Sequence, residues 1–423
     1  MKTLVLLVMG LLACTSALAL DLGDGAVLEG RAFYKTLGAG YALPEELVGD
    51  ATGLPRWLAG QYHSARLQGR LLLGERWDIS VGWQATAALA SDAALLGGSG
   101  SGLLSGAVPA NVAPAKRRLV DFDPLLLDHP TLRVGHNMDL LSVRYKTGLG
   151  DVVAGRQVLA WGTGRFWNPI DRLAPFAPSD LDREVRHGVD AVRWTLPLGP
   201  TALVDALWLP QRNSADQSAV LRAQANFLGW DSSVIAAKFA DSALVGADLA
   251  GDVGAVAVHA ELALSGPWAG VEKWRSNTVL RALLGGDWRP ADKWLLSGEY
   301  LFDGGGSTDP SHYLGILRNS EHMRGEWFGA GRHRAGLATV YRWSEVLGLS
   351  ATALVSFADP SALLLPSVEW WFEQNILVRT GVYVPMGRGV DSAAGLSTEA
   401  ALGISSEYGS APWGGFLQVG IYR

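Results

Sequence analysis

The residues of this 423-residue sequence that offer chemistry are polar side chains spaced two apart. In the segment 63–90, Arg66, Gln68 and Arg70 alternate with small and apolar residues, and the alternation resumes after the break at 74–76. A period of two places the guanidinium groups on one face of a β-strand. A row of such groups beside water attracts anions.

Arrangements typical of enzymes are weak in this sequence. His187 lies near Asp190, but no serine occupies a strained, Gly-flanked turn. His259 and Glu261 share one face of a predicted strand without the cysteines of a zinc deaminase. Three acids have a spacing that fits no calcium loop: Asp121, Asp123 and Asp128. We therefore predict no enzymatic activity, no catalytic residue, no metal site and no cofactor.

The first residues indicate export. Lys2 precedes an apolar run that is too short to span a bilayer, and small residues follow at Ala17 and Ala19. We interpret residues 1–19 as a signal peptide that is cleaved after Ala19, which leaves residues 20–423 as the mature protein. The alternative is a lipoprotein signal in which Cys14, the single cysteine, carries a lipid.

The composition argues for a membrane barrel. A formal net charge of -6 disfavours a nucleic-acid partner, and no later apolar stretch reaches the roughly 18 residues of a membrane helix. A protein that spans a bilayer without such helices must be a closed β-barrel, since only helices and barrels satisfy every backbone hydrogen bond in lipid. The alternating segments recur along the whole chain, and their apolar faces run for about nine to eleven residues, the length of a tilted membrane strand.

Connection lengths indicate which side of the membrane each turn faces. Tight breaks alternate with mostly longer connections, as in outer-membrane barrels with short periplasmic turns and long external loops. Nineteen segments qualify as strands, and since such barrels have even counts we exclude 394–407. The predicted fold is all-β: a single transmembrane, antiparallel, up-and-down barrel of about 18 strands over residues 20–423, with long extracellular loops. Sixteen strands is the alternative, because the pair around Lys238 and Asp248 is faint.

Tryptophan supports the same orientation. Outer-membrane barrels carry aromatic girdles where the lipid headgroups lie. Six tryptophans flank the short breaks and are predicted to form the periplasmic girdle: Trp77, Trp230, Trp288, Trp294, Trp343 and Trp370.

Two regions resemble porin-like outer-membrane proteins of Gram-negative bacteria. Residues 155–199 contain the pattern GRQ…WG…NP.D, and the segments FEQNILVRTGVYVPMG and SSEYGSAPWGG are similar to the last hairpin of such proteins. The resemblance implies an outer-membrane location and a barrel that passes solutes or serves surface assembly. The terminal Arg423 departs from the aromatic residue on which many members end.

The predicted lumen face is rich in cations. A wall of that sign concentrates anions, unless its cations pair with neighbouring acids or with lipopolysaccharide phosphates. The predicted pore-lining residues are Arg31, Arg66, Arg70, Arg144, Lys146, Arg156, Arg193, Arg222, Arg281, Arg332, Arg334 and Arg379.

The third long connection, at about 162–188, is the predicted constriction loop. It combines charges of both signs with aromatic residues and prolines, which indicates a folded segment rather than a flexible one. If it folds into the lumen it sets a size limit and a transverse field; the alternative is a lid over the rim. Its charged residues are Arg165, Asp171, Arg172, Asp180, Asp182, Arg183, Glu184 and Arg186.

The functional hypothesis is an outer-membrane channel for the diffusion of small hydrophilic solutes, with anions preferred. One alternative is a sheath around a lumen-filling partner such as a multihaem cytochrome, and another is a factor for surface-polysaccharide export or assembly. The expected partners are outer-membrane lipid, lipopolysaccharide and small hydrophilic solutes, together with a lumen-filling or periplasmic protein in the sheath alternative.

Overall fold

A computed structural model describes residues 18–45, 48, 53–97, 117–180, 182–268, 277–392 and 402–422. Residues 1–17, which contain Cys14 and most of the predicted signal peptide, lie outside the described residues, as do residues 393–401. Within the described part, no helix has the length and apolar character needed to cross a membrane.

Most of the described chain forms β-strands. In chain order they are β1 (Leu18–Gly23), β2 (Ala26–Ala42), β3 (Trp57–Leu73), β4 (Trp77–Ala90), β5 (Leu125–His129), β6 (Leu132–Thr147), β7 (Gly150–Gln157), β8 (Val189–Pro197), β9 (Ala202–Leu209), β10 (Ser218–Phe227), β11 (Trp230–Phe239), β12 (Ser242–Val253), β13 (Val256–Pro267), β14 (Val279–Trp288), β15 (Trp294–Asp303), β16 (His333–Arg342), β17 (Leu347–Ser356), β18 (Ser361–Glu373), β19 (Ile376–Met386), β20 (Val390–Ser392), β21 (Leu402–Ile404) and β22 (Trp413–Tyr422). Short helical segments lie at Ala94–Gly97, Ser214–Asp216, Pro310–His312, Tyr313–Leu317 and Ser320–Met323.

Eighteen antiparallel strands, β2–β4, β6–β19 and β22, close into one barrel. Each pairs with its neighbours in the chain, and β22 closes the ring between β19 and β2. The predicted all-β barrel of 18 strands is confirmed, and the alternative of sixteen is wrong. The faint pair β11–β12 is regular, with Ser233 opposite Asp248.

The remaining strands lie outside this ring. β1 pairs with residues 26–30 of β2, on the edge that β22 uses from residue 33 onward. β5 forms a hairpin with the start of β6. β20 and β21 pair with each other between β19 and β22, so no additional barrel strand arises there among the described residues.

The barrel exterior is an apolar band. In an antiparallel sheet, paired residues lie on the same face, so the register assigns each side chain to the lumen or to the outside. Apolar residues of adjacent strands share the outer face at 48–59% exposure: Leu221, Val234, Val245, Leu262 and Leu284. This partition follows from the membrane, where hydrocarbon offers no hydrogen-bond partner to a polar group.

Connections at the two barrel ends differ in length. One end has turns at 74–76, 148–149, 198–201, 228–229, 254–255, 289–293, 343–346 and 374–375. The other end has loops at 43–56, 91–131, 158–188, 210–217, 240–241, 268–278, 304–332, 357–360 and 387–412. Two of these loops, 240–241 and 357–360, are as short as turns, so connection length alone does not distinguish their side of the barrel.

The tryptophans predicted to form the girdle lie near the strand ends at the turn side. Trp77, Trp230 and Trp294 begin strands, Trp288 ends one, and Trp343 directly follows another. Trp370 lies close to the end of β18. Trp161, by contrast, is buried in the loop 158–188 and belongs to the interior.

Candidate functional site

Loop 3, residues 158–188, crosses the barrel lumen from one wall to the other. It leaves the wall at β7 and returns to it at β8. Its first half contacts the opposite wall at β12–β16, where Ile170 packs against Gly246 and Phe166 against Gly336. Its second half reaches the closing seam of the barrel, where the hydroxyl of Tyr383 donates to the Ser179 carbonyl (3.3 Å) and that of Tyr422 to Glu184 (3.1 Å). The loop therefore lies inside the barrel and not over its rim.

Apolar residues hold loop 3 in the lumen. Phe166 and Trp167 join a cluster with inward-facing residues of β2 and β3, among them Leu37, Tyr41 and Tyr62. A second cluster surrounds Trp161 and Ile170 with inward-facing residues of β8–β13. Burial of apolar area, at about 25 cal/mol per Å², is the main force that keeps the loop folded inward. We call the part of the lumen at the barrel end with the long loops the loop half, and the part at the end with the short turns the turn half. In the loop half, apolar residues face the interior, so the rule of polar residues inside and apolar residues outside fails there.

Ion pairs fix the charged residues of loop 3. Lys35 of β2 is buried against Asp182 (2.9 Å) and Glu184. Arg165 forms a bidentate contact with Asp287 of β14, with Nε 2.7 Å from Oδ1. Within the set predicted for the constriction, Arg165 and Glu184 are the exposed members.

The other members of the predicted constriction set are partly or wholly buried. Asp171 pairs with Arg186 at 2.9 Å, and Arg172 pairs with Glu321 at 2.5 Å. Arg183 donates to the carbonyls of Ala177 and Pro178, and Asp180 accepts from the Ala177 N–H at 2.7 Å. Burial raises the pKa of Asp180 to about 6. These residues shape the loop rather than line water.

A chain of alternating charges joins three loops to the wall. Asp303 of β15 accepts from Arg281 of β14 (3.0 Å) and from Arg334 of β16 (3.1 Å). Arg281 also binds Glu321 in the loop 304–332, at 2.8 Å. This series of ion pairs extends to Arg172 of loop 3 at one end. At the other end it extends to Glu407 of the loop 387–412, which lies 3.7 Å from Arg334. Burial tends to raise the pKa of Glu321, but the two adjacent guanidinium groups lower it well below its usual range.

Most of the predicted pore-lining cations lie within ion-pair distance of a carboxylate. Nine of the twelve form ion pairs with carboxylates: Arg66, Arg70, Arg144, Arg156, Arg193, Arg222, Arg281, Arg334 and Arg379. Arg31 instead donates to Gln68 (3.1 Å), and Arg332 donates to the Gly306 carbonyl (3.1 Å).

Four of these arginines do not border open lumen, which corrects the prediction for them. Arg66, Arg281 and Arg334 are buried beneath the inward-folded loops, beside Asp139 or Asp303. Arg156 is embedded in the wall, where it binds Asp190 and the carbonyls of Met138 and Val120. For Arg66, Arg281 and Arg334 the physical reason is that loop segments fill the space that the strand pattern alone leaves to water. Arg156 instead pairs in register with Leu141, which lies on the outer face.

The turn half of the lumen keeps an accessible basic surface. Arg31, Arg70, Arg144 and Lys146 are exposed on the inward face of β2, β3 and β6. The carboxylates near them are Glu29, Asp78 and Asp151. An anion that enters this half meets guanidinium and ammonium groups in contact with water.

The residues considered for catalysis serve the architecture. The Asp190 carboxylate accepts hydrogen bonds from the Arg156 guanidinium and from the N–H of Leu119. His259 lies 2.8 Å from Glu299, and Glu261 accepts backbone N–H groups of loop 3. Asp123 and Asp128 pair with Arg118 and Arg133, respectively. Among the residues that the structure describes, no group of three or more ligands could hold a metal ion.

Comparison with solved structures identifies the architecture. OccK5 (OpdH) of Pseudomonas aeruginosa matches with a TM-score of 0.55 at 9% identity over 93% of this chain and 97% of its own. The chain has the fold of outer-membrane porins. OccAB1 of Acinetobacter baumannii matches with a TM-score of 0.53 at 10% identity over 96% of this chain and 98% of its own. A BenF-like porin of Pseudomonas fluorescens Pf-5 matches with a TM-score of 0.53 at 9% identity over 94% and 98%, respectively.

The porin fold also fixes the location. Together with the apolar exterior, it places the chain in the outer membrane, as predicted. No protein-family model matches the sequence, and no curated protein matches it.

Proposed function

We propose that this barrel is a passive channel for small hydrophilic solutes across the outer membrane. In this proposal the signal peptide 1–19 directs the export of the protein toward that membrane. The observation that carries the proposal is the course of loop 3 through the lumen, because it converts a wide barrel into a constricted one. An 18-stranded barrel is too wide for its own wall side chains to fill, so an inward loop sets its size limit.

Anions are the preferred solutes in this proposal. On β2, β3 and β6 the four exposed cations Arg31, Arg70, Arg144 and Lys146 lie near three carboxylates, those of Glu29, Asp78 and Asp151. The apolar loop half above them excludes large hydrated solutes, and the basic half concentrates anions that pass it. Arg165 and Glu184 are exposed on loop 3 and provide charges beside the part of the lumen that this loop narrows.

A sheath around a protein partner is less well supported. That function requires an open lumen, whereas loop 3 and the apolar clusters occupy the loop half.

Recording in planar lipid bilayers tests the proposal. We expect purified, folded protein to form discrete conducting channels, with a reversal potential in a KCl gradient that shows chloride to be more permeant than potassium. Folded protein that inserts without conducting would reject the channel, and conduction with potassium preferred would reject the anion preference alone.

A further inference from the structure

The backbone of loop 3 is bound by two carboxylates of the barrel wall. Glu261 of β13 accepts the N–H groups of Thr163 (2.6 Å) and Gly164 (2.8 Å) through Oε1. Its Oε2 accepts the N–H of Ile170 at 3.4 Å. Successive N–H groups that converge on one anion form a nest, a backbone arrangement that binds negative charge.

The adjoining N–H groups go to the second carboxylate. Glu299 of β15 accepts the N–H of Arg165 through Oε1 and that of Phe166 through Oε2, the latter at 2.9 Å. Four consecutive backbone donors, 163–166, thus end on two buried acids; Glu261 is 3% exposed and Glu299 is 4% exposed. Hydrogen bonds to a charged acceptor are roughly twice as strong as neutral ones.

A glycine makes the arrangement possible. In the sheet register, His259 of β13, Gly285 of β14 and Glu299 of β15 form one row. Because Gly285 has no side chain, His259 Nε2 reaches across β14 to Glu299 Oε1 at 2.8 Å. A Cβ at Gly285 would overlap both side chains.

One glycine of loop 3 also lies close to these carboxylates. Gly162 has φ +87°, and a Cβ on it would lie 2.5 Å from Glu261 Oε1. Only glycine combines that backbone conformation with such a close approach.

We propose that Glu261 and Glu299, with His259 behind Glu299, are positioning residues that set the width of the channel by holding loop 3 against the wall. This inference rests on the proposed channel function and adds the residues that determine its constriction. Glutamine at either position removes the negative charge and replaces one of the two acceptor oxygens with an N–H₂ donor, which faces a backbone N–H group, so the hold on the loop weakens.

The test compares single-channel conductance of the wild type, E261Q, E299Q and E261Q/E299Q in planar bilayers with KCl. The control is E345Q, which removes an exposed acid of the short turn 343–346. We expect the double variant to conduct about twofold more than the wild type or higher, with a larger solute cutoff, and E345Q to keep the wild-type conductance. A folded double variant with wild-type conductance and cutoff would overturn the proposal.

A second readout does not depend on conduction. Trypsin added to folded protein in detergent cleaves loop 3 at Arg165, Arg172, Arg183 or Arg186 only if the loop leaves the wall. We expect protection in the wild type and in E345Q, and cleavage in E261Q/E299Q. Equal protection in all three would contradict the role of Glu261 and Glu299 in holding loop 3. If the wild type does not conduct, the channel proposal fails, while this assay still shows whether Glu261 and Glu299 hold loop 3 against the wall.

If the double variant does not fold, the variant G285A provides the test instead. It disturbs the His259–Glu299 contact and leaves both carboxylates in place. We expect raised conductance and cleavage of loop 3 in the folded variant, and wild-type values in both assays would overturn the role of His259 and Glu299.

Discussion

Lys35 of β2 and Asp182 of loop 3 form an ion pair, with Lys35 Nζ 2.9 Å from Asp182 Oδ2 across a sequence separation of 147 residues. The side chains are 5% and 12% exposed, respectively. The pair joins the far end of loop 3 to the closing seam of the barrel, where Tyr422 also contacts the loop.

Removal of this ammonium group should destabilise the barrel. Lys35→Met leaves the largely buried Asp182 without its cation, which costs about 2–4 kcal/mol of unfolding free energy. Urea unfolding in lipid vesicles, followed by tryptophan fluorescence, measures the loss. Lys146→Met, at an exposed position of β6, is the control and should change stability by less than about 0.5 kcal/mol. Equal unfolding midpoints for Lys35→Met and the wild type would show that the pair contributes nothing.

The contact of Phe166 with Gly336 predicts a glycine-specific effect. The Phe166 ring lies so close to Gly336 of β16 that an added Cβ would overlap it. Gly336→Ala therefore displaces the ring and should lower stability by about 1–3 kcal/mol. Gly348→Ala on β17 is the matched control, because nothing lies within 4 Å of its Cβ position. Thermal unfolding by circular dichroism compares the two, and identical melting temperatures would refute the close packing.

Asp180 predicts a pH-dependent stability. Burial raises its pKa to about 6 in the folded protein, so ionisation opposes folding increasingly as the pH rises from about 4 to about 6, and fully above that. Asp180→Asn should be more stable than the wild type by about 3 kcal/mol at pH 8, since one unit of pKa shift corresponds to about 1.4 kcal/mol. The difference should shrink as pH falls from about 6 to about 4, the ordinary aspartate value, and vanish below it. Urea midpoints across this range provide the measurement; a gain that persists unchanged at pH 3 would exclude ionisation as its cause.

Ion selectivity should depend on the exposed arginines of the turn half. The triple variant R31Q/R70Q/R144Q removes three accessible positive charges, so we expect the chloride-to-potassium permeability ratio to fall by about twofold to fivefold. The reversal potential in a KCl gradient reports this ratio. R56Q is the control, since Arg56 lies at the loop end beside Glu45 with both side chains exposed. A triple variant that keeps the wild-type ratio would mean that selectivity arises elsewhere.

The alternation in the sequence was sufficient to predict the barrel. Period-two placement of Arg31, Arg70 and Arg144 requires only local geometry and a lipid exterior, and both are general. The strand count followed from the even-number rule, although the pair around Lys238 and Asp248 gave little signal of its own.

The interior of the lumen could not be predicted in the same way. The rule that apolar residues face lipid misassigns Leu37, Tyr41 and Tyr62, because they face a loop distant in the chain. Likewise, the burial of Arg281 and Arg334 depends on loop segments that only the tertiary structure brings over them. The pair His259 and Glu261 was visible on one strand face, but its partners, the N–H groups of loop 3, lie about a hundred residues away.

The barrel wall is uneven in height. β2 and β3 have 17 residues each, whereas β7 and β9 have 8. At the loop end the wall steps down beside β6, because β7 pairs only with residues 141–147 of β6, whereas residues 132–138 pair with the taller β4. The loop-side rim of the barrel is therefore oblique. A molecule that diffuses along the cell surface finds the rim lowest at β7–β9, beside the strands that flank loop 3.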